Sequence, residues 1–215
     1  MYKKKFFFIV FEGIEGSVKS YQSRKLHENL NKNGVKSLLT REPGGSKGAE
    51  QIRKIILKDY FYKNKNEQFD KYTDTLLYLA ARNEHIRTKI KPAILKKNII
   101  ICDRFIDSTF AYQVYGKGVN KNFINFIHKY VLKGLKPDLT FVLKIKISSA
   151  LKRLRKRKKK NRYDKFAKSF YLKAQKAFIK IANKNKKRYY IFDNSFDNKE
   201  VENKIFNIVR SKINL

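Results

Sequence analysis

Five short apolar runs, separated by segments with helical spacing, constrain this 215-residue chain more than any other feature. They are "FFFIVF" (Phe6–Phe11), "VKSLLT" (Val35–Thr40), "NIIIC" (Asn98–Cys102), "LTFVLKI" (Leu139–Ile145) and "YYIF" (Tyr189–Phe192). Each has strand length and is rich in β-branched or aromatic residues. Between and after them the spacing predicts helices over Lys19–Asn33, Ala49–Lys58, Glu67–Lys96, Asn122–Leu132, Ser148–Lys160, Lys165–Asn183 and Asn198–Ile213. Pro92 is expected to bend or interrupt the third of these. Strands that alternate with helices, and that read as continuous apolar runs, belong to a parallel sheet covered on both faces. The expectation is one α/β domain over residues 1–215, built on a five-stranded parallel sheet flanked by helices.

In such sheets ligands bind beyond the carboxyl ends of the strands. Three of those ends run into polar turns: "EGIEGSVKS" after the first strand, "REPGG" after the second and "DRFIDS" after the third. The first nearly matches G-x-x-x-x-G-K-[ST], in which backbone N–H groups and a helix N-terminus cradle phosphate. Gly13, Lys19 and Ser20 fit the pattern, whereas Val18 occupies the second required glycine. Lys19 is placed to reach the β- and γ-phosphates and Ser20 to ligate Mg2+. A β-branched residue at positive φ costs about 1–3 kcal/mol, so the loop reads as a working phosphate site with a defect at Val18. At the third turn, the Asp103–Arg104 pair suits Mg2+ and a second phosphate respectively. In isolation, a plain ion pair explains those two residues as well.

A net charge of +34 suggests a nucleic-acid binder. Lysine is scattered through every segment, however, and the aromatics sit at strand or helix-face positions rather than between arginines. Compositional drift accounts for that pattern better. Cys102 is the single cysteine, which excludes an internal disulfide and fits a buried strand residue in a reducing compartment. The opening "MYKKKFFFIVFEG" imitates a secretory signal, but Glu12 ends its apolar run too early for a signal core or a membrane span. The chain therefore reads as soluble and cytoplasmic. His27, His85 and His128 lack metal-ligand spacing and receive no chemical role.

Taken together, "FEGIEGSVKS", "TREPGG", "LLYLAARNEHIRTKIKPAIL", "DRFIDSTFAYQVYGKG", "PDLTFVL" and "NRYD" resemble, in order and over nearly the whole chain, the thymidylate kinases, P-loop enzymes that phosphorylate dTMP. The resemblance implies a P-loop nucleotide-kinase fold with a short lid, ATP and dTMP as substrates, Mg2+ as cofactor and a homodimer. It implies that the loop Gly13, Ile14, Glu15, Gly16, Ser17, Val18, Lys19 and Ser20 binds ATP, with Glu15 near the nucleotide sugar and the metal. Ser20 and Asp103 would hold Mg2+. Arg53 and Arg104 would grip the dTMP phosphate, Tyr78 would stack on thymine, and Arg82 would hydrogen-bond the base. Thr109 and Gln113 fall at base-reading positions, and Tyr112 would line the deoxyribose and disfavour a 2′-hydroxyl. The apolar helical stretches Leu76–Ala81 and Phe105–Tyr115 would supply a dimer interface.

The basic run "KRLRKRKKKNRYD" resembles the family's lid over ATP, at residues 152–164. Family members carry a catalytic arginine either in the phosphate loop or in the lid. This loop has none, while the lid offers Arg153, Arg155, Arg157 and Arg162, with Arg157 and Arg162 the expected carriers of charge stabilisation. Departures from the family pattern are Val18, Tyr21 after the loop, the lysines of "LKIKI", Val114 and Lys117; they bear on efficiency. Two alternatives stand beside this reading: a kinase for another nucleoside or nucleotide, and a degenerate P-loop protein that binds nucleic acid.

Overall fold

The computed structural model describes residues 6–58, 68–158, 161–195 and 198–213. Strands β1 (Phe7–Glu12), β2 (Ser37–Arg41), β3 (Ile99–Asp103), β4 (Leu139–Lys144) and β5 (Tyr189–Asp193) form one parallel sheet in the order β2-β3-β1-β4-β5. All five expected strands are present, each shifted by no more than two residues at either end. The central strand β1 is buried at all six positions. This is why its sequence is a continuous apolar run rather than an alternation. The pleat still sorts its residues. Phe7, Ile9 and Phe11 pack with Leu26, Leu30, Val201, Ile205 and Val209 on one face, and Phe8 and Val10 pack with Ile86, Ile90 and Phe105 on the other. Truncating one such side chain to alanine costs about 2–5 kcal/mol.

The helices on those faces are α1 (Lys19–Lys32), α2 (Lys47–Leu57), α3 (Lys71–His85), α4 (Lys91–Leu95), α5 (Ile106–Thr109), α6 (Lys121–Leu132), α7 (Ile147–Arg155), α8 (Lys168–Asn183) and α9 (Asn198–Ile213). Helix α2 starts earlier than its apolar spacing indicates, because the Ser46 side chain caps it by accepting from the Ala49 N–H. Asp70 caps α3 in the same way through the N–H groups of Tyr72 and Thr73. The expected interruption near Pro92 takes the form of a π-helical stretch, Ile86–Ile90, that joins α3 to α4. A wider turn there suits a residue that has no N–H to donate. Helix α7 ends at Arg155, short of the expected Lys160. Cations crowd its last turn, and like charges one turn apart disfavour continuation. A single turn at Arg162–Lys165, with a reciprocal cap between Asn161 and Asp164, then leads towards α8. The expected helix start at Glu67 and the lysines at 159 and 160 lie outside the described residues.

Register positions the strand exits. Phe11 of β1 and Arg41 of β2 both lie abreast of Asp103 of β3. The three polar turns therefore leave the sheet side by side. Among the described residues no helix is long and apolar enough to cross a membrane.

Candidate active site

The turn after β1 folds as a phosphate cradle. Gly13 adopts φ 140°, and a Cβ there would collide with the Leu143 carbonyl oxygen of β4. Only glycine tolerates both conditions. Val18 lies at φ 65°, ψ 22°, the left-handed region, directly before α1. The sequence placed a β-branched residue where glycine is expected, and the chain adopts the glycine-like conformation regardless. Lys19 is buried, its Nζ donating to the Ile14 carbonyl at 2.7 Å and to Ser17 Oγ at 3.3 Å. The ammonium thus curls back over its own loop. Burial, with Arg104 nearby, lowers its pKa to about 8.

The turn after β3 holds the second set of charges. Ser20 Oγ hydrogen-bonds Asp103 Oδ2, joining the N-terminus of α1 to the end of β3. Asp103 Oδ1 is buried without a hydrogen-bond partner among the described residues. Arg104, at φ 72°, turns its guanidinium to the loop: Nη2 donates to Glu15 Oε1 at 2.9 Å and Nη1 to the Gly13 carbonyl at 2.9 Å. Tyr112 donates to the other Glu15 oxygen at 2.5 Å. Burial pushes the Glu15 carboxyl upward, but Arg104 and Lys19 prevail and hold it below its usual range. The same neighbours work in reverse on Arg104: burial disfavours its charge, while Tyr112 and Glu15 secure it.

Behind this turn stands a carboxylate that, in the sequence, marks only the end of an apolar run. Glu12 is fully buried and accepts from the Phe105 N–H at 2.8 Å, the Ser108 N–H at 3.2 Å and Ser108 Oγ at 2.6 Å. Burial, then Asp107, raises its pKa to about 8. Its position at the last residue of a strand feeding a phosphate loop was the available signal.

The turn after β2 contains a cis Glu42–Pro43 peptide. Arg53 of α2 donates to the Pro43 carbonyl at 2.5 Å. Glu42 is buried and receives Arg82 Nε at 2.7 Å and His85 Nδ1 at 3.1 Å. Burial works against its charge, but Arg82 and His85 hold its pKa below the usual value. Gly45 sits at φ 83°, where a Cβ would strike Thr40 and the His85 ring. His85, given no role from sequence, is therefore a buried strut of this turn.

These turns open on one cavity of about 440 Å3. Lys19, Arg53 and Arg104 all border it, as do Glu15, Gly16, Val18, Ser20, Tyr78, Arg82, Asp103, Thr109, Tyr112, Gln113 and Arg157. Gly13, Ile14, Ser17 and Arg162 are not among its lining residues. Gly13, Ile14 and Ser17 shape the loop from behind. Arg162 is paired with the buried Asp74, which Lys117 also contacts at 2.6 Å. Lys117, a departure from the family pattern, thus retains a defined partner. Arg153, named among the lid arginines but not favoured, lines the cavity and donates to the Gly16 carbonyl at 2.8 Å. Arg157 pairs with Asp164 at 3.0 Å. The Tyr78 ring meets Tyr163 edge-on, with centroids 6.3 Å apart.

A loop shaped for phosphate, with a second cationic turn facing it, matches known proteins along the chain. The thymidylate kinase family model matches residues 11–205. The chain belongs to the thymidylate kinase family. It is 40% identical over 208 residues to a thymidylate kinase of Mycoplasma capricolum subsp. capricolum, covering 96% of this chain and 95% of that one. A thymidylate kinase of Wolbachia pipientis subsp. Culex pipiens is 40% identical over 211 residues, 95% of this chain and 96% of the other. Among solved structures, the thymidylate kinase from Ehrlichia chaffeensis superposes with a TM-score of 0.73 at 33% identity, over 95% of this chain and 98% of its own. As a member of the thymidylate kinase family, the chain is a nucleoside monophosphate kinase. Its P-loop fold and five-stranded parallel sheet accord with that membership.

Proposed function

We propose that this protein transfers the γ-phosphoryl group of ATP to dTMP, giving dTDP and ADP. The observation that carries the reading is that Lys19 at the start of α1, Arg53 on α2 and Arg104 in the turn after β3 border a single cavity together with the base-side residues Tyr78, Arg82 and Gln113. A phosphate oxygen of dTMP attacks the γ-phosphorus in line, and the bond to the β–γ bridging oxygen breaks as ADP leaves. Such a transfer needs little beyond positioning and neutralised charge. Lys19 serves the donor phosphates, and Arg53 and Arg104 serve the acceptor phosphate. Tyr112 stands beside Glu15 and Arg104, a place suited to packing on a deoxyribose. Gln113 supports base reading: it is buried, and its Nε2 lacks a hydrogen-bond partner among the described residues. Such a donor is ready for a carbonyl oxygen.

Ser20 and Asp103 fit Mg2+. Both offer oxygen, they already touch, and Asp103 Oδ1 has no other partner among the described residues. No group of three His, Cys, Asp or Glu side chains forms a metal cage among the described residues. Two protein ligands suit Mg2+, which keeps water and phosphate oxygens in its shell. When bound, the ion neutralises charge on the donor phosphates.

For the lid, residues 152–164 of a single catalytic domain, the cavity lining supports Arg157 and adds Arg153. A part for Arg162 requires it to leave Asp74 when the lid closes. A homodimer is proposed on family grounds. Within Leu76–Ala81 and Phe105–Tyr115, Leu76 and Tyr115 are exposed, while Leu79, Ala81, Phe105, Ala111 and Tyr112 are spent on the core. A cytoplasmic site of action follows the same grounds. The nucleic-acid-binding alternative is not favoured, since the buried polar groups converge on a nucleotide-sized hollow.

A coupled ADP-release assay with dTMP, dUMP, dCMP and dAMP, in the presence and absence of Mg2+, tests the proposal. Turnover is expected to be fastest with dTMP, to require Mg2+, and to fall about 100-fold or more in Lys19→Ala. Preference for another acceptor, or turnover that survives Lys19→Ala, defeats it.

A further inference from the structure

The Arg82 guanidinium has five N–H bonds, and four have protein partners. Nε donates to Glu42 Oε2 at 2.7 Å, Nη1 to Thr109 Oγ1 and to His128 Nε2, each at 2.8 Å, and Nη2 to the Phe105 carbonyl at 2.9 Å. Arg82 borders the cavity while only 3% exposed. One N–H, on Nη2, is left for a ligand.

The His128 contact has only one chemical reading. A guanidinium donates and never accepts, so His128 Nε2 presents its lone pair and the proton sits on Nδ1. The imidazole is therefore neutral. Burial, with Arg82 alongside, lowers its pKa to about 3, in keeping with that state. The ring is fixed as well: it is buried on α6 and meets the Phe110 ring edge-on, with centroids 5.8 Å apart. Glu42, from the turn after β2, holds the opposite side of the guanidinium.

We infer that His128 is a positioning residue for the acceptor base, fixing the Arg82 guanidinium so that its one remaining N–H meets a carbonyl oxygen of the base. This inference rests on the acceptor being dTMP. Without an acceptor at His128, an Nη1 proton is buried unpaired on a guanidinium still held by Glu42, Thr109 and the Phe105 carbonyl, and relieving that loss shifts the fork out of line with the base. The loss then falls on binding of the acceptor nucleotide, not on the donor site or the transfer step.

The test is initial-rate kinetics with dTMP and ATP varied in turn, on the unmodified enzyme, His128→Leu and His128→Gln. The Leu variant is expected to raise KM for dTMP about 10-fold, as for losing one hydrogen bond to a charged group, with kcat and KM for ATP within about twofold. The Gln variant, whose amide oxygen stands close to the position of Nε2, is expected within about threefold of the parent. Should the Leu variant fail to fold, His128→Asn replaces it, since its amide is one methylene too short to reach Arg82 and KM for dTMP should rise likewise. An unchanged KM for dTMP in Leu or Asn overturns the inference. So does a parallel loss of kcat and both KM values in Leu, Asn and Gln alike, which marks a packing role. If the unmodified enzyme does not turn over dTMP, the proposed function fails and this inference falls with it. A normal parent beside an unaffected variant defeats only the inference.

Discussion

Arg104 Nη2 donates to Glu15 Oε1 at 2.9 Å, across the gap between the third turn and the phosphate loop. The pair is mostly buried, and each partner is 15% exposed at its side chain. On the proposed function, this ion pair holds the Arg104 guanidinium, whose backbone sits at φ 72°, at the cavity wall where the acceptor phosphate would bind.

Arg104→Lys keeps the charge but loses the planar fork that reaches Glu15 and Gly13 together, and with it the proposed grip on the acceptor phosphate. We expect kcat/KM for dTMP to fall about 100-fold, with KM for ATP changed by less than about threefold. Steady-state kinetics with each substrate varied checks the split.

Val18→Gly relieves a β-branched residue from the left-handed region, worth about 1–2 kcal/mol, less the added flexibility of glycine in the unfolded chain. The expected result is a KM for ATP about threefold or more lower, or a raised kcat, with a small rise in Tm. If ATP kinetics do not move, the loop tolerates valine without functional cost.

The lowered pKa of Lys19, about 8, gives a pH signature. Above that pH the free enzyme loses the ammonium that meets ATP phosphate, so kcat/KM for ATP should fall from about pH 8 upward. The profile of kcat should break at higher pH, because bound phosphates favour the charged lysine. The stability contribution runs the other way. Between about 8 and the ordinary value of 10.5 the unfolded chain binds the extra proton, so this group adds stability as pH rises. Activity loss without unfolding, followed by kinetics and circular dichroism on the same samples, separates the two.

For the lid, Arg153→Ala and Arg157→Ala are each expected to lower kcat by about 10-fold or more, since both border the cavity. Arg162→Ala should chiefly lower Tm, because it leaves buried Asp74 to Lys117 alone. A larger kcat effect in Arg162→Ala than in the other two would mean that the lid rearranges on closure and frees Arg162 for the transfer.

The fold was legible because its determinants are local. Apolar runs of strand length, helix spacing and stop signals are written residue by residue, and the alternation of strands with helices leaves few ways to bury both faces. The phosphate loop was legible for the same reason, since its glycines, Lys19 and Ser20 are contiguous. The roles of Glu12, Glu42, His85 and His128 were not. Each acts on residues distant in the chain: Glu12 on Ser108, Glu42 on Arg82, His85 on Thr40 and His128 on Arg82. No periodicity marks such a pairing. The identity of the lid arginine nearest the loop was hidden likewise, because the end of α7 decides which side chain reaches Gly16. The sequence by itself determined the sheet, the loop and the stock of cations. Only the tertiary structure decided which buried carboxylate or imidazole each cation would meet, because burial makes an unpaired polar group costly and that cost is met by whichever partner the packing brings within reach.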